Sequence, residues 1–458
     1  MAADKTSRAA AGSGAGSAAN GAPGPRPAPL YRRLPAGPHR LDRAQVARHQ
    51  RLRIHGAMVE AVAAGGYRET SVGQVVALAG VSRRSFYEHF ANKQECLLRT
   101  FDLIVESAVR RAEAAYRATD GPLQERLRAS LGTLAEAMTA NRKAGMLVML
   151  ETPTAGGAGL LRLRDATERC ERMLALSFSA QPGAGPLPRP VVRAIAGGLH
   201  AALSMGVRER HAIAAGELTE GMLGWTLGFQ SRAAPRMAEL VAARARTSLA
   251  AGPASAGRRP GEPQPGDPER ERIMEQALRA GAEGELRELT AARVAELAGV
   301  SIDAFFELFE DKDQCYLAAL EMLAGRLLAA VDDERLCSAE WPTAVRRAIG
   351  ELMLLLADRP HYAGTIVSQA LCAGPEAMRR NAELASAIAT RLTNGAPGEP
   401  VGRLTVEGVG GAIWHTVRCQ VASGRVQLLP ALSDYLSYVV LAPFIGADAA
   451  VEVVTEEL

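Results

Sequence analysis

The chain has 458 residues, a formal net charge of +3, six cysteines and an aromatic content of only 4%. This length exceeds what one hydrophobic core usually holds and indicates two or three domains. The small net charge excludes a chain that binds nucleic acid over its whole surface, so any affinity for DNA must be local.

Apolar residues and cysteines are distributed as in a cytoplasmic protein. No stretch of about 18 uncharged apolar residues occurs, which predicts no membrane-spanning helix, and the N-terminus lacks the apolar segment of a secretory signal. The cysteines form no C-x-x-C pair, as is usual for thiols in a reducing compartment. Residues 1–40 are rich in Ala, Gly, Ser and Pro, and we expect this tail to be disordered.

The elements predicted after the tail are helices, because Ala, Leu, Arg and Glu dominate the composition. Apolar residues at helical spacing predict a first helix around 54–62, which the Gly pair at 65–66 ends. Ser71 is typical of a capping box that opens a short second helix. Gly80 supplies a turn, and Ser82 is a suitable N-cap for a third helix.

Longer helices are predicted beyond this point. Asn92 is expected to open a fourth helix that runs to about Tyr116. Nothing in the sequence predicts a strand, so the expected fold class is all-α. Further helical stretches are predicted at about 122–140, 157–180, 189–213 and 217–233.

One segment of the chain occurs twice. Arg51 to Leu98 aligns without a gap to Arg270 to Leu317, with about 20 of about 50 positions identical. Between the copies, 251–268 contains five prolines and four glycines, which is typical of a linker. Short helix, glycine turn and second short helix form the layout of a DNA-binding helix-turn-helix.

The first copy resembles the tetracycline-repressor (TetR) family of transcription regulators. The residues that carry the likeness are Thr70-Ser71, Ala79-Gly80-Val81-Ser82, Phe86-Tyr87-Glu88-His89-Phe90 and Lys93. The resemblance implies an N-terminal DNA-binding unit of three helices and a helical core that holds a small ligand. It also implies that the last two helices pair with a partner in a four-helix dimer interface.

The resemblance and the repeat together predict two tandem TetR-like units. Each unit is a three-helix helix-turn-helix subdomain followed by a helical core for ligand binding and dimerisation. The expected boundaries are a tail at 1–40, a DNA-binding domain at 41–99, a core at 100–250, a linker at 251–268, a degenerate helix-turn-helix at 269–318 and a second core at 319–458.

The candidate DNA-binding residues lie on and around the third helix. Arg83 and Arg84 could enter the major groove, where an arginine that pairs with guanine contributes about 1–3 kcal/mol of discrimination. Alternatively, both arginines are simply solvated surface. The resemblance implies that Tyr87 and Lys93 touch phosphate.

Further polar side chains surround these four. By the resemblance, Ser85 and His89 lie near DNA, although His89 could equally be a surface residue. Thr70 and Ser71 could offer hydroxyls to the DNA backbone. A positive arm precedes them and consists of Arg40, Arg43, Arg48 and Arg51.

The second copy differs at these positions. Ile302 and Asp303 replace the two arginines, Phe306 replaces the tyrosine and Leu308 replaces the histidine. From 71 to 95 the first copy has three basic and two acidic residues, whereas the second has two basic and six acidic ones. Since acidic surfaces repel phosphate, we expect the second copy to keep its fold, through residues such as Phe305, and to have lost DNA binding.

No pattern in the sequence predicts a catalytic, cofactor or metal site. The histidines show no metal-ligand spacing, and no nucleophile or Walker motif appears, so the chain is not expected to be an enzyme. Trp225, Trp341 and Trp414 could line a ligand cavity, although such residues more often belong to plain core.

The sequence therefore predicts a ligand-responsive, DNA-binding transcriptional regulator, a repressor in the leading interpretation. Its partners would be a double-stranded DNA operator and a small, largely apolar effector, bound within 100–245. The halves could pair within one chain as a pseudo-dimer, or two chains could form a homodimer, which we favour because two reading units strengthen binding. The rival function is a ligand-sensing or protein-interaction module on a TetR scaffold without DNA binding.

Overall fold

The computed structural model describes residues 42–179, 186–208, 213–230, 237, 239, 267–284, 289–332, 340–398 and 401–456. The predicted tail and most of the predicted linker lie outside these residues. All regular elements in the described ranges are helices, which confirms the all-α fold class.

The first half begins with three helices that we call the first head. Its helix α1 is interrupted at the predicted Gly pair, where Gly66 adopts a non-helical positive φ of 79°, and a short helical segment follows this kink to Glu69. The sequence did not predict the short helical segment at 142–155. The elements are α1 (Arg43–Glu69), α2 (Val72–Ala79), α3 (Arg83–Tyr87), α4 (Lys93–Ala118), α5 (Leu123–Thr139), α6 (Arg142–Met146), a π-helical turn (Leu147–Glu151), a 3-10 turn (Thr152–Ala155), α7 (Gly157–Ser179), α8 (Arg189–Arg208) and α9 (Ala215–Leu227).

The second half repeats this order, and its first three helices form the second head. A π-helical turn, Thr365–Gln369, again follows a short helix at the place of the first. The elements are α10 (Pro268–Glu283), α11 (Ala291–Ala298), α12 (Ile302–Leu308), α13 (Lys312–Val331), α14 (Trp341–Asp358), α15 (Pro360–Gly364), the π turn, α16 (Ala370–Cys372), α17 (Pro375–Thr393), α18 (Arg403–Ala422), 3-10 turns at Val426–Leu428 and Pro430–Leu432, α19 (Ser433–Ile445) and α20 (Ala447–Thr455).

The two halves pack against each other mainly through α8 and α18, and we call this contact the seam. The helices approach closely at Gly197 and Gly411, where a Cβ atom on either residue would lie 2.7 Å from the carbonyl oxygen of the other. Above this crossing, the Tyr438 hydroxyl donates a hydrogen bond of 2.9 Å to the carbonyl of Phe229. At the seam, the backbones of the two halves of one chain are therefore in direct contact.

The seam bears on the two architectures that the sequence left open. Late helices of each half, which the resemblance assigns to dimerisation, pack here against their counterparts in the same chain. This contact is the pairing expected of an intrachain pseudo-dimer. A homodimer of two chains stays a prediction, and it would need a different surface.

Two helices, α8 and α13, are long and apolar enough to cross a membrane by length and composition alone. We expected none, because that expectation considered only uncharged stretches. In α8, 72% of the apolar stretch is buried, as in the core helix of a folded domain. In α13 the buried share is 39%, and Arg326 on this helix forms ion pairs with Glu271 and Glu275 of α10.

Candidate nucleic-acid interface

The helix-turn-helix of the first head is fixed by local capping. Ser71 and the side chain of Gln74 form the predicted capping box at the start of α2. Gly80 ends α2 in the left-handed region, with φ 62°, which an L side chain rarely adopts. Ser82 then caps α3 by accepting a hydrogen bond of 3.0 Å from the amide of Ser85. These three sequence predictions agree with the structure.

The outer face of α3 is exposed and positively charged. Arg83 and Tyr87 are exposed, and the Arg84 side chain is 91% accessible to solvent. Arg84 lies 3.2 Å from Glu88 one turn away, an exposed pair that stabilises little and can be exchanged for a phosphate or a base. The face therefore presents two guanidinium groups and one phenol to solvent, which are groups of the kind that contact bases and phosphates in DNA.

Three further predicted residues lie at the edge of this face. The Ser85 hydroxyl is half-buried and donates to Gln50 of α1 over 3.2 Å, so it links the two helices. Ser71 is exposed, although its hydroxyl belongs to the cap of α2. Arg51 and Arg48 are exposed on α1, whereas Arg40 lies outside the described residues.

The structure does not place the other three predicted residues on the exposed face. Thr70 is buried, and its hydroxyl donates to the carbonyl of Gly66 over 2.7 Å, so it closes the end of α1 instead of facing DNA. His89 is half-buried against Phe90. The Lys93 ammonium donates to the carbonyls of Tyr67 and Arg68 over 3.0 and 3.2 Å. These side chains hold the head together.

Sequence reasoning missed a residue that supports the turn. Arg53 of α1 donates to the carbonyls of Ala79 and Gly80, where α2 ends. The signal was present, because an arginine also occupies the corresponding position, Arg272, in the second copy. Arginine suits this position because its planar group can bind two neighbouring carbonyls.

A buried histidine, His55, lies in the first head behind the exposed face of α3. The Thr100 hydroxyl donates to the carbonyl of Cys96, so the contact of 2.7 Å between His55 Nδ1 and Thr100 Oγ1 has the ring nitrogen as donor. Burial, followed by the nearby charge of Arg51, lowers the pKa of His55 to about 4. His55 is therefore neutral at pH 7.

The second head has the same frame with a different surface. Gly299 again ends its helix in the left-handed region, with φ 67°, and Ser301 again caps the next helix. Its outer face, however, carries Ile302, Asp303 and Phe306, of which Phe306 is 52% exposed. This face is apolar and acidic, so it lacks the groups that bind phosphate or guanine.

The first head is attached to its core at the end of α1. Glu151, at the end of the π turn, accepts a hydrogen bond of 2.9 Å from the amide of Tyr67. Lys143 and Glu60 form an ion pair between the same regions. The core can therefore act on the orientation of the head through the π turn, a type of distortion that often marks functional sites.

An apolar cavity of about 110 Å³ lies in the first core between α4, α5, α7 and α8. Met149 of the π turn and His200 of α8 form part of its wall. Trp225 packs in the seam, and Trp341 packs on Phe444. Trp414 lines a cavity, but this cavity lies at the seam and not in the first core. Other residues of the apolar cavity include Phe101, Leu131, Met138, Leu163 and Met222.

One cluster has the composition of a metal site. Ligand atoms of Glu171, His415 and Cys419 lie within 4.8 Å of one another at the seam. Glu171, however, already contacts His415 over 3.0 Å and Arg193 over 3.7 Å. The nearby guanidinium opposes a cation, so the cluster is better described as an ion pair of the first half, Arg193 with Glu171, to which His415 of the second half is hydrogen-bonded.

Residues 56–100 match the model of the tetR family of bacterial regulatory proteins. No curated protein matches the chain significantly. Similar solved structures include FadR, a fatty acid degradation regulator of Bacillus halodurans, at 18% identity, with 39% of this chain and 95% of that chain covered and a TM-score of 0.37. Another is FadR of Bacillus subtilis in complex with stearoyl-CoA, at 18% identity, with 38% and 95% covered and a TM-score of 0.35.

A third similar structure is a TetR family transcription regulator from Marinobacter aquaeolei, at 21% identity, with 39% and 96% covered and a TM-score of 0.31. The matched segment contains α2, α3, about half of α1 and the start of α4, so it lies over the helix-turn-helix of the first head. The match is confined to 45 of the 458 residues, so it is this segment that is similar to the tetR family.

Proposed function

We propose that the chain is a ligand-responsive transcriptional repressor of the cytoplasm that binds a double-stranded DNA operator through its first head. The observation that carries the proposal is the exposed face of α3, where Arg83, Arg84 and Tyr87 stand on a firmly capped helix. The same face of the second head is apolar and acidic, so only one of the two heads is suited to DNA.

DNA recognition would follow from the geometry of α3. Its N-terminal arginines enter the major groove, where each bidentate pair with guanine contributes about 1–3 kcal/mol. Tyr87 and Arg51 flank them and bind phosphates, which fix the register without selecting a sequence. Ser71 and Ser85, at the rim of the face, add hydroxyl contacts to the backbone.

The effector would act through the apolar cavity of the first core. An apolar molecule that fills this cavity presses on Met149 of the π turn, and Glu151 of the same turn holds the end of α1. A shift of the π turn therefore reorients the first head. Binding that favours the reoriented state releases DNA, because a ligand shifts the equilibrium toward the state it binds better.

The seam supports an intrachain pseudo-dimer with one competent head. A single head reads few base pairs, so its specific affinity is low unless chains cooperate on DNA. The mass in solution separates these arrangements, since the chain alone weighs 48.4 kDa. We expect a monomer and a single half-site, whereas the homodimer would give twice this mass and a palindrome.

Selection of bound duplexes from a random DNA pool tests the function. The wild type should enrich a motif that Arg83→Ala/Arg84→Ala does not enrich. The matched control is Ile302→Ala/Asp303→Ala, which alters the same positions of the second head and should enrich the wild-type motif. No enrichment by the wild type at low salt would reject the repressor and favour a ligand-sensing module without DNA binding.

A further inference from the structure

A second cavity, of about 130 Å³, lies at the seam where α8 meets α18. We call it the seam cavity. Met149, Leu163 and His200 line both the seam cavity and the apolar cavity of the first core, so the two cavities share a wall. The remaining wall comes from both halves, and the residues of the second half include Trp414 and Arg418. One ligand could therefore contact both halves of the chain.

Arg418 in this wall carries a positive charge that no other described residue neutralises. It forms no ion pair and no side-chain hydrogen bond within the described part of the chain, and its Nε atom is buried without a partner. The side chain is half-buried, and this burial lowers the pKa of its guanidinium. A half-buried guanidinium that lines a cavity and has no acidic partner is suited to binding an anion there.

The neighbouring acidic groups are already engaged. Glu407 lies 3.5 Å from Arg208, and Glu171 contacts His415 and Arg193. The thiol of Cys419 cannot supply a negative charge, because burial raises its pKa to about 11. Nothing in the wall of the cavity therefore balances Arg418.

We propose that the seam cavity binds the anionic group of an amphipathic ligand through Arg418, while the apolar part of the ligand occupies the apolar cavity. The anionic group would be a carboxylate or a phosphate. A guanidinium matches either head, since its fork of N–H groups pairs with two oxygens. The two cavities adjoin at the side chains that line both, so the apolar part of the ligand would pass from one to the other between these side chains. This inference rests on the proposed function and names the chemical class of the effector.

Such a ligand would join the two halves. Its charged group is held by α18 of the second half, and its apolar part touches Met149 of the π turn in the first half. The second half, whose head is unsuited to DNA, thereby acquires a role as the part that recognises the charged group. His200 at the shared wall stays uncharged at pH 7, because burial and the charge of Arg418 lower its pKa to about 3, and it can offer a hydrogen bond.

Isothermal titration calorimetry of the full chain, without DNA, tests the inference. The probes are heptanoate, hexyl phosphate, hexanol and hexylammonium, which share one hexyl chain and differ in the polar group. We expect at least one anion to bind ten-fold or more tightly than hexanol, and hexylammonium to bind most weakly. The comparison of the two anions decides between carboxylate and phosphate. Equal affinity for hexanol and both anions, or no binding of either anion, would overturn the proposal.

A matched pair of variants tests Arg418 itself. Arg418→Gln should weaken binding of the preferred anion ten-fold or more and leave hexanol unchanged. Arg425→Gln, at an exposed arginine just beyond the same helix, should bind like the wild type. Undiminished anion binding by Arg418→Gln would reject the site. Since no DNA is present, a failure here is distinct from a failure of the first head to bind an operator.

Thermal unfolding adds a readout with the opposite sign. Without a probe, Arg418→Gln should unfold at the same or a higher temperature than the wild type, because the substitution removes an unpaired, half-buried charge. With saturating anion the wild type should become the more stable of the two. A lower unfolding temperature of the variant without any probe would show that Arg418 has a structural partner, and would overturn the argument.

Discussion

The two heads of this chain have one internal structure and two surfaces. In the first, Phe86 and Phe90 pack with ring centroids 5.6 Å apart, and in the second Phe305 and Phe309 pack at 5.5 Å. Outside this shared core, one head exposes guanidinium groups and the other an isoleucine, an aspartate and a phenylalanine.

The comparison separates what folds a helix-turn-helix from what lets it bind DNA. Folding depends on buried aromatic residues, a glycine in the left-handed region and hydroxyl side chains at the helix N-caps, and both heads have all three. DNA binding depends on exposed side chains, and exchange of those usually changes stability by less than about 0.5 kcal/mol. A duplicated head can therefore lose DNA binding without losing its fold.

The largest expected effect is on the shared core. Phe86→Ala and Phe305→Ala should each lower the free energy of unfolding of their own head by about 3–5 kcal/mol, since both side chains are fully buried. Hydrogen exchange measured on peptides from each head checks this. Only Phe86→Ala should also abolish DNA binding. A cost below 1 kcal/mol in the second head would show that its fold does not depend on the same packing.

A pH dependence should distinguish the heads. The pKa of His55 falls to about 4 on folding from an ordinary value near 6.5, so the unfolded chain binds the proton more readily between these values. Above pH 6.5, His55 is neutral in the folded and the unfolded chain, and the free energy of unfolding of the first head has its full value. As the pH falls from 6.5 to 4, this free energy should decrease by up to about 3 kcal/mol.

The second head provides the control, because Met274 is buried at the position of His55. His55→Met should make the first head less sensitive to acid while the second head stays as it was. Hydrogen exchange at pH 7 and at pH 4.5 measures both in one sample. An acid sensitivity that persists in His55→Met would assign it to other groups.

Much of the heads could be predicted from the sequence, because the relevant signals are local. The caps at Ser71 and Ser82 and the turn at Gly80 follow from residue type and spacing within a few positions. The exposed arginines followed from the motif. The inward orientation of Thr70 and Lys93 did not, because a hydroxyl or an ammonium suits a carbonyl and a phosphate equally well.

The seam and its cavity could not be predicted in this way. Arg418 is a notable residue only because it lies among groups from distant parts of the chain that already have partners. Glu151 supports the first head from 84 positions away from Tyr67. Such contacts depend on how helices pack, and one sequence carries no direct signal for them.

Transfer of the DNA-binding side chains to the second head should have a moderate effect on DNA affinity, and it tests which positions account for the difference between the heads. In a chain whose first head carries Arg83→Ala/Arg84→Ala, the further changes Ile302→Arg, Asp303→Arg and Phe306→Tyr give the second head the missing groups. We expect up to about a ten-fold gain in DNA affinity at low salt, limited by the acidic residues that remain. Fluorescence anisotropy with a labelled duplex measures it. No gain would mean that these three positions do not account for the difference between the heads.

The smallest expected effect concerns a lysine that both heads retain. Lys93 donates to carbonyls at the end of α1, and Lys312 donates to the carbonyl of Leu289 over 2.9 Å. Since the head that lacks DNA-binding groups keeps the lysine, its main role should be structural. Lys93→Met and Lys312→Met should then each cost about 1–2 kcal/mol in the stability of their own head, measured by hydrogen exchange.

The salt dependence of DNA binding tests the alternative role of Lys93. A phosphate contact contributes about 0.9 to the slope of log affinity against log salt concentration, whereas a structural lysine contributes almost nothing. We therefore expect Lys93→Met to leave the slope within about 0.3 of the wild type. A loss of nearly one unit with unchanged stability would place the ammonium on DNA, as the family resemblance implied. In that event the second head would retain a lysine whose DNA contact it has lost, and the presence of this lysine in both heads would no longer indicate a structural role.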